Sequence, residues 1–423
     1  MVHVKELLVL TIYVFYMWPM KFKIYGDVLW YFIYAGIPVL CLLWNYKILV
    51  KWLCGIKNVI IKFLFIYIMA LLWGGVSVSI NNGDFTYYGF LLRIIQNIVI
   101  YIFLLLVQYH AFGKISIESF FKYYIVSICI NVFSTIIFLI NNDLKELWIQ
   151  LLVQTDAKLD MADAVNQQTR FSLQGFSAFG QTALCALGAL TSLYLMHKSK
   201  SVVNVWMFTF VVCLMGCLFY GRIGVILSIL FYIIYELTDI KIVNLKRILV
   251  LGLIVTMLVI VTFYLAEYDW RIKAWLDWVS EPVESFLFGL QYGQISFGNS
   301  ANKLTEDMYF MPEDDTIIFG DARYQNSDGS YYMHTDAGVL RHILYYGILG
   351  ELLGYSLIIL VVIELMKIFK KQGDKLLLIM MFLFTMLFMV LEIKGVIYHT
   401  LFGWLMVLLL IVSNKKNRLS GFS

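Results

Sequence analysis

Four arginines stand where an apolar chain rarely leaves a charge. Arg170 ends Gln168-Thr169-Arg170 shortly before one apolar run, and Arg222 lies in Gly221-Arg222-Ile223-Gly224 between two others. Arg341 follows His334-Thr335-Asp336-Ala337-Gly338 at the start of a further run. If each run is a helix, its N-terminal end offers free N–H groups and a partial positive charge. A guanidinium beside it completes a site for phosphate oxygens. The plainer reading is that such arginines reach toward lipid head groups. Arg93 is a different case, about six residues, or about 9 Å, inside its run. A cation at the centre of a span costs about 2.5–3.5 kcal/mol, so Arg93 should face a polar cavity or a partner. Gln96 and Asn97 share its helical face, and a hydrogen-bond network or salt bridge there would serve equally.

His334 and Asp336 are the candidates for moving a proton. Imidazole titrates near neutrality and a carboxylate can be tuned upward, so either could take the proton of an attacking hydroxyl. Set against that, Asp336 is well placed to cap a helix, and His334 could be an ordinary loop residue. Seven residues separate His334 from Arg341, so the two share a face if the helix begins early. No His-x-x-x-His or Glu-x-x-His pair is present, and no metal is expected. Cys213 and Cys217 share a helical face, but cysteines in apolar helices usually pack. Lys394, between Glu392 and His399, reads as a short outer turn with a local ion pair.

The elements that must hold these residues are membrane helices. Hydrophobic residues make up 61% of the chain and charged residues 14%, against about 25% charged in soluble domains. Apolar runs of about 20 residues, enough to cross about 30 Å of hydrocarbon, recur from end to end. They are too long for β-barrel strands, and backbone groups in lipid need internal partners, so the runs are helices. They lie near 7–20, 27–44, 60–80, 87–109, 123–140, 176–196, 202–220, 223–236, 248–267, 338–366, 376–392 and 396–412. The fold expected is an all-α polytopic membrane protein of about 12 transmembrane helices, one integral membrane domain over 1–423. Leu7 to Met20 is followed by Lys21 and Lys23 rather than by a cleavage site, so the first helix is expected to stay as an anchor.

Lysine and arginine set the orientation. With both termini in the cytoplasm, the inner connections collect Lys47, Lys51, Lys57 and Lys62, then Lys367, Lys370, Lys371 and Lys375, then Lys415, Lys416 and Arg418. Two polar segments then lie outside. The first, 141–175, carries Asp143, Glu146, Asp156, Asp160, Asp163 and Arg170. The second, 267–336, joins the ninth and tenth spans and mixes acids with Trp270, Trp275, Trp278, Phe310, Tyr324, Tyr331 and Tyr332. One dominant outer loop, without internal repeats, suggests chemistry at the outer face rather than transport.

The stretch Ile317-Ile-Phe-Gly-Asp-Ala-Arg323, His334-Thr-Asp336-Ala-Gly338-Val-Leu-Arg341 and Tyr345-Tyr346-Gly347-Ile-Leu-Gly350 resembles the Wzy-type polymerases of O-antigen and capsular repeat units. In that family a large periplasmic loop ends in a similar Asp-x-Gly-x-x-Arg run, followed by aromatic-Gly-x-x-Gly. Gly221-Arg222-Ile223-Gly224 looks like its small-Arg-small turn, and Arg170 to Gln181 resembles its segment leading into a Gly-Phe-rich helix start. These motifs cover about a tenth of the chain, while topology and loop placement agree over most of it. The related O-antigen ligases share the fold and a His-containing loop. Here His334 is followed by Thr, and two extra residues separate it from Gly347 compared with the usual ligase pattern, which favours the polymerase.

The resemblance implies a metal-independent, GT-C-like glycosyltransferase of the bacterial inner (plasma) membrane. Donor and acceptor would be oligosaccharides linked to undecaprenyl diphosphate. Arg170, Arg222, Arg341 and Arg93 would bind diphosphate, and His334 or Asp336 would act as base. It implies no cofactor, a chain-length regulator as partner beside the lipid bilayer, and no nucleic acid. The loop aromatics would stack on sugars or fill the loop's own small core. Two other activities fit a chain of this kind: ligation of glycan to lipid A core, and non-enzymatic export of the lipid-linked oligosaccharide.

Overall fold

A computed structural model describes residues 2–154, 168–176, 179–199, 201, 203–238, 242–291, 307–326 and 330–414. Asp156, Asp160 and Asp163 of the first polar segment lie outside the described residues, as do 292–306 of the second. The described chain is predominantly helical. In order it forms α1 (Val2–Met17), α2 (Gly26–Tyr31), α3 (Ile37–Trp44), α4 (Tyr46–Cys54), α5 (Lys57–Asn81), α6 (Thr86–Phe112), α7 (Ile117–Ile140) and α8 (Asn142–Leu151). A hairpin of β1 (Phe171–Ser172) and β2 (Gly175–Phe176) precedes α9 (Phe179–Lys198), α10 (Val205–Tyr220), α11 (Arg222–Leu237), α12 (Ile242–Ala266) and α13 (Trp270–Gln291). Then come α14 (Asp314–Phe319), α15 (Gly338–Gln372), α16 (Lys375–Lys394) and α17 (Leu401–Ser413). Each apolar run expected from the sequence overlaps helix, although 396–400 of the last lies in a connection before α17. Eight helical stretches among the described residues are long and apolar enough to cross a membrane, and α10 and α17 are shorter apolar helices. The protein is an all-α polytopic membrane protein.

Contacts divide the chain into two units, Met1–Gly36 with Glu118–Gly298, and Ile37–Ile117 with Asn299–Ser423. In the first, α9 is the central helix, and every residue from Gln181 to Met196 is buried. Small residues permit that. A Cβ on Gly188 would stand 2.7 Å from Ile128 and 2.9 Å from Cys213 Sγ, and one on Gly216 would stand 2.7 Å from Cys185 Sγ. Close approach through small residues is how helices associate where lipid offers no hydrophobic drive. Cys185, Cys213 and Cys217 are buried free thiols, and no metal-binding group of side chains occurs among the described residues. Cys185 and Cys213 lie against the glycines that let these helices approach. By contrast α12 leaves Leu249, Leu253, Met257 and Ile260 exposed along its length, as suits a lipid-facing surface.

In the second unit α15 packs on α5, α14, α16 and α17. The sequence suggests one continuous span here; the structure breaks it. Tyr346 (φ −137°) and Gly347 (φ 70°, ψ 178°) leave helical geometry, so a short N-terminal piece is offset from the longer 348–372. Three carbonyls at the break, those of Leu344, Tyr345 and Tyr346, are taken by protein donors. Asp321 N donates to Leu344 O at 2.6 Å, Ala322 N to Tyr345 O at 2.9 Å, Ser77 Oγ to Tyr345 O at 2.8 Å, and Trp73 Nε1 to Tyr346 O at 2.7 Å. A broken helix in a membrane requires such replacement partners. Gly347 is needed twice over: its φ is left-handed, and a Cβ would meet Ile318 O at 2.1 Å.

Candidate anion-binding sites

The four arginines fall into two pairs, one in each unit. Arg222 is the first residue of α11, as its position in the sequence suggests. Gly221 before it is extended rather than left-handed; small size matters because a Cβ there would lie 2.6 Å from Thr182 Oγ1. The Arg222 guanidinium sits over the Trp278 ring at 4.5 Å, donates to Trp278 O at 2.6 Å, and pairs with Glu281 Oε2 at 2.9 Å. Arg170 approaches the same ring at 5.5 Å. Burial, and then the charge of Arg222, hold the Arg170 pKa below the ordinary arginine value. Two cations therefore share one indole, with Glu281 as counter-ion.

Arg170 is not at a helix start, which corrects the sequence expectation. It closes the 3₁₀ turn Gln168–Arg170, the hairpin follows, and α9 begins only at Phe179. The hairpin owes its place to side chains: Phe171 and Phe176 pack with Phe138, and Gln181 Nε2 donates to Ser172 Oγ at 2.6 Å. Thr169 Oγ1 donates to Phe219 O at 3.0 Å and ties the turn to the end of α10. Packing, not a helix dipole, positions Arg170.

The second pair lies in the other unit. Arg341, in the first turns of α15 and buried, lies against the rings of Tyr324 (4.0 Å) and Tyr331 (3.8 Å). The Tyr324 ring meets Phe90 at 4.8 Å, and Arg93 stacks on Phe90 at 5.1 Å. Both guanidiniums act electrostatically on Tyr324 and favour its ionised form; burial outweighs them and pushes the phenol up to about 12. Neither arginine has an acidic partner among the described residues, and Arg341 Nη2 is buried with no hydrogen bond. An unmet buried donor costs about 1–3 kcal/mol, and more when charged. Each cation–π contact returns only about 0.5–2 kcal/mol. The arrangement is short of an acceptor. Asn97, one helical turn on from Arg93, donates from its amide nitrogen to His399 O at 2.8 Å.

The base candidates are placed differently from expectation. Ala337, not Asp336, occupies the N-cap of α15, so capping does not account for Asp336. Asp336 Oδ1 is buried without a partner, while Thr335 Oγ1 accepts from Ala337 N at 3.2 Å. His334 is exposed, with left-handed φ (56°) in the turn Tyr332–His334 before α15. It therefore does not share a helical face with Arg341. It lines an open polar cleft of about 690 Å³ with Asn82, Asp84, Arg323, Gln325, Asn326 and Tyr332. The expected ion pair around Lys394 is replaced: Glu392 Oε1 lies 2.7 Å from His342 Nε2, and Glu392 Oε2 accepts from Ile397 N at 3.0 Å.

Sequence reasoning passed over Glu281, Phe90, His342 and His399. Of the loop aromatics offered as sugar platforms, Trp278, Tyr324 and Tyr331 lie on guanidiniums. No known family model matches the chain, and no curated protein matches it.

Proposed function

We propose that this chain is a metal-independent membrane glycosyltransferase that polymerises lipid-diphosphate-linked oligosaccharide repeat units at the outer face of the bacterial plasma membrane. About twelve spans in a GT-C-like arrangement, with both termini cytoplasmic, would carry it. The observation that supports this reading is the Arg93–Arg341 pair: two guanidiniums on one aromatic cluster, with no acidic partner among the described residues, Arg341 in the first turns of its helix. That is a site for a compact polyanion. Diphosphate is the leaving group of such a transfer, and fixed cations stabilise its developing charge without a metal.

In the reaction the acceptor hydroxyl attacks the anomeric carbon, the bond from that carbon to diphosphate breaks, and a base takes the hydroxyl proton. Asp336 is the better placed of the two nominated bases, because its unpartnered carboxylate oxygen lies five residues before Arg341 on a buried segment. His334 belongs to the polar cleft, whose size and hydrogen-bonding lining suit sugar rings. Arg170 and Arg222 offer a second cationic site, and polymerisation uses two lipid diphosphates. A chain-length regulator would be the protein partner.

The test is extension of a purified undecaprenyl-diphosphate repeat unit by the protein in nanodiscs. Wild type should give a ladder, and Arg341→Ala only single units while staying in the membrane. No ladder from wild type, or a wild-type ladder from Arg341→Ala, would end this reading.

A further inference from the structure

We infer that His399 is a third anion-contacting group of the Arg93–Arg341 site, and that a diphosphate bound there brings a proton onto its imidazole. The inference takes its ligand class from the reading above; a lipid-linked and a free diphosphate share the chemistry. His399 lies in the connection 395–400, outside α16 and α17. Its carbonyl is held by Asn97, and the segment is closed by Thr400 N donating to Ile397 O at 2.9 Å. The ring stands 4.3 Å from Phe90, the same ring that carries Arg93 and meets Tyr324, on which Arg341 lies. The residue is 9% exposed, and Nδ1 is buried with no partner among the described residues. Two buried atoms with no hydrogen bond among the described residues, His399 Nδ1 and Arg341 Nη2, thus belong to groups on the same Phe90–Tyr324 pair of rings, and an anion there can accept from both once the imidazole is protonated.

The groups around the ring set the sign of the linkage. Arg93 comes from α6, Arg341 and His342 from α15, Tyr324 from the segment before α15, and Tyr398 lies alongside at 5.9 Å. Burial first, then Arg93, His342 and Arg341, hold the His399 pKa well below the usual imidazole value, so the ring is neutral without ligand. A diphosphate offsets both guanidiniums and gives an N–H an acceptor; each change favours the imidazolium. Binding then takes up a proton. Affinity is full below the ring's lowered, ligand-free pKa, falls as pH rises between that value and the raised, ligand-bound one, and has lost the gain above it.

Calorimetry of the full chain in nanodiscs, in two buffers of different ionisation enthalpy, reads this directly. The probes are undecaprenyl diphosphate and inorganic pyrophosphate, each from about pH 6 to about pH 9. Wild type should take up more protons per ligand than His399→Gln, by up to about one, and lose affinity with pH more steeply. A second measurement needs no variant: the ¹⁵N signal of the wild-type His399 ring should change from neutral to protonated on adding ligand. Equal uptake in the two proteins, a ring that stays neutral when loaded, or no binding of either probe would overturn the inference. Proton-linked binding of pyrophosphate without binding of the lipid would uphold His399 and remove the lipid-diphosphate reading instead.

Discussion

A guanidinium in contact with two phenol rings has given up water to them and depends on its edges for hydrogen bonding. Arg341 is in that position, and its Nη2 edge meets no acceptor. A planar fork on two rings is something lysine cannot reproduce, because an ammonium neither stacks nor binds bidentately. Arg341→Lys is therefore expected to lose most of the anion affinity, about tenfold or more, while Arg341→Ala loses chain extension altogether. Both should insert and fold, as checked by monodisperse elution in detergent. Arg222 is the contrasting case, since Glu281 already neutralises it. Glu281→Gln should strengthen pyrophosphate binding about threefold to tenfold at low salt by removing a competing carboxylate. Weaker binding in that variant would mean that Glu281 holds Arg222 in place rather than competing for it. The sequence made the arginines visible because charges stand out in apolar runs. It did not reveal what they rest on: Phe90 and Tyr324 meet only in the fold, and His399 carries no local pattern that separates it from any other histidine.

Helices were the most legible elements, since lipid leaves a backbone few other choices and the apolar runs mark them directly. What happens inside and just before a helix was less so. Asp336 looked like a cap and is displaced by Ala337, because the turn Tyr332–His334 enters with left-handed φ at Met333 and His334. The break at Tyr346–Gly347 depends on donors from Trp73, Ser77, Asp321 and Ala322, which no local window contains. That dependence gives a prediction at this scale. Gly347→Ala adds a Cβ 2.1 Å from Ile318 O in a left-handed, extended conformation. The cost should exceed about 3 kcal/mol, a large share of the about 5–15 kcal/mol that holds a domain folded, and should lower folded yield and thermal stability. Gly252→Ala in α12, where nothing lies within 4 Å of the new methyl, should be neutral or stabilising by up to about 1 kcal/mol. Folded yield and thermal stability in detergent compare the two; equal behaviour would show that the break in α15 is not tied to Gly347.

At the scale of the whole molecule, the chemistry proposed requires that the loop segments carrying Tyr324, His334 and Asp336 face outward, and that the lysine-rich connections face the cytoplasm. The lysines argue for this orientation because they must stay on the side from which they cannot be translocated. The protein's own thiols provide the control. Cys54 is exposed and falls among Lys47, Lys51, Lys57 and Lys62, the partly exposed Cys41 lies just before the same lysines, and Cys129, Cys185, Cys213 and Cys217 are buried. A membrane-impermeant maleimide applied to spheroplasts should therefore leave the wild-type chain unlabelled until the membrane is opened. Met311 is 85% exposed just before α14, in the same loop segment as Asp321 and Tyr324. Met311→Cys should label in intact spheroplasts, and Lys371→Cys, at the end of α15, only after permeabilisation. The reverse pattern would put the Arg341 end of α15 in the cytoplasm. A sugar polymer built there would be on the wrong side of the membrane for the lipid-linked donors proposed, and the assignment of Arg93, Arg341 and His399 to a diphosphate would have to be replaced by a cytoplasmic anion.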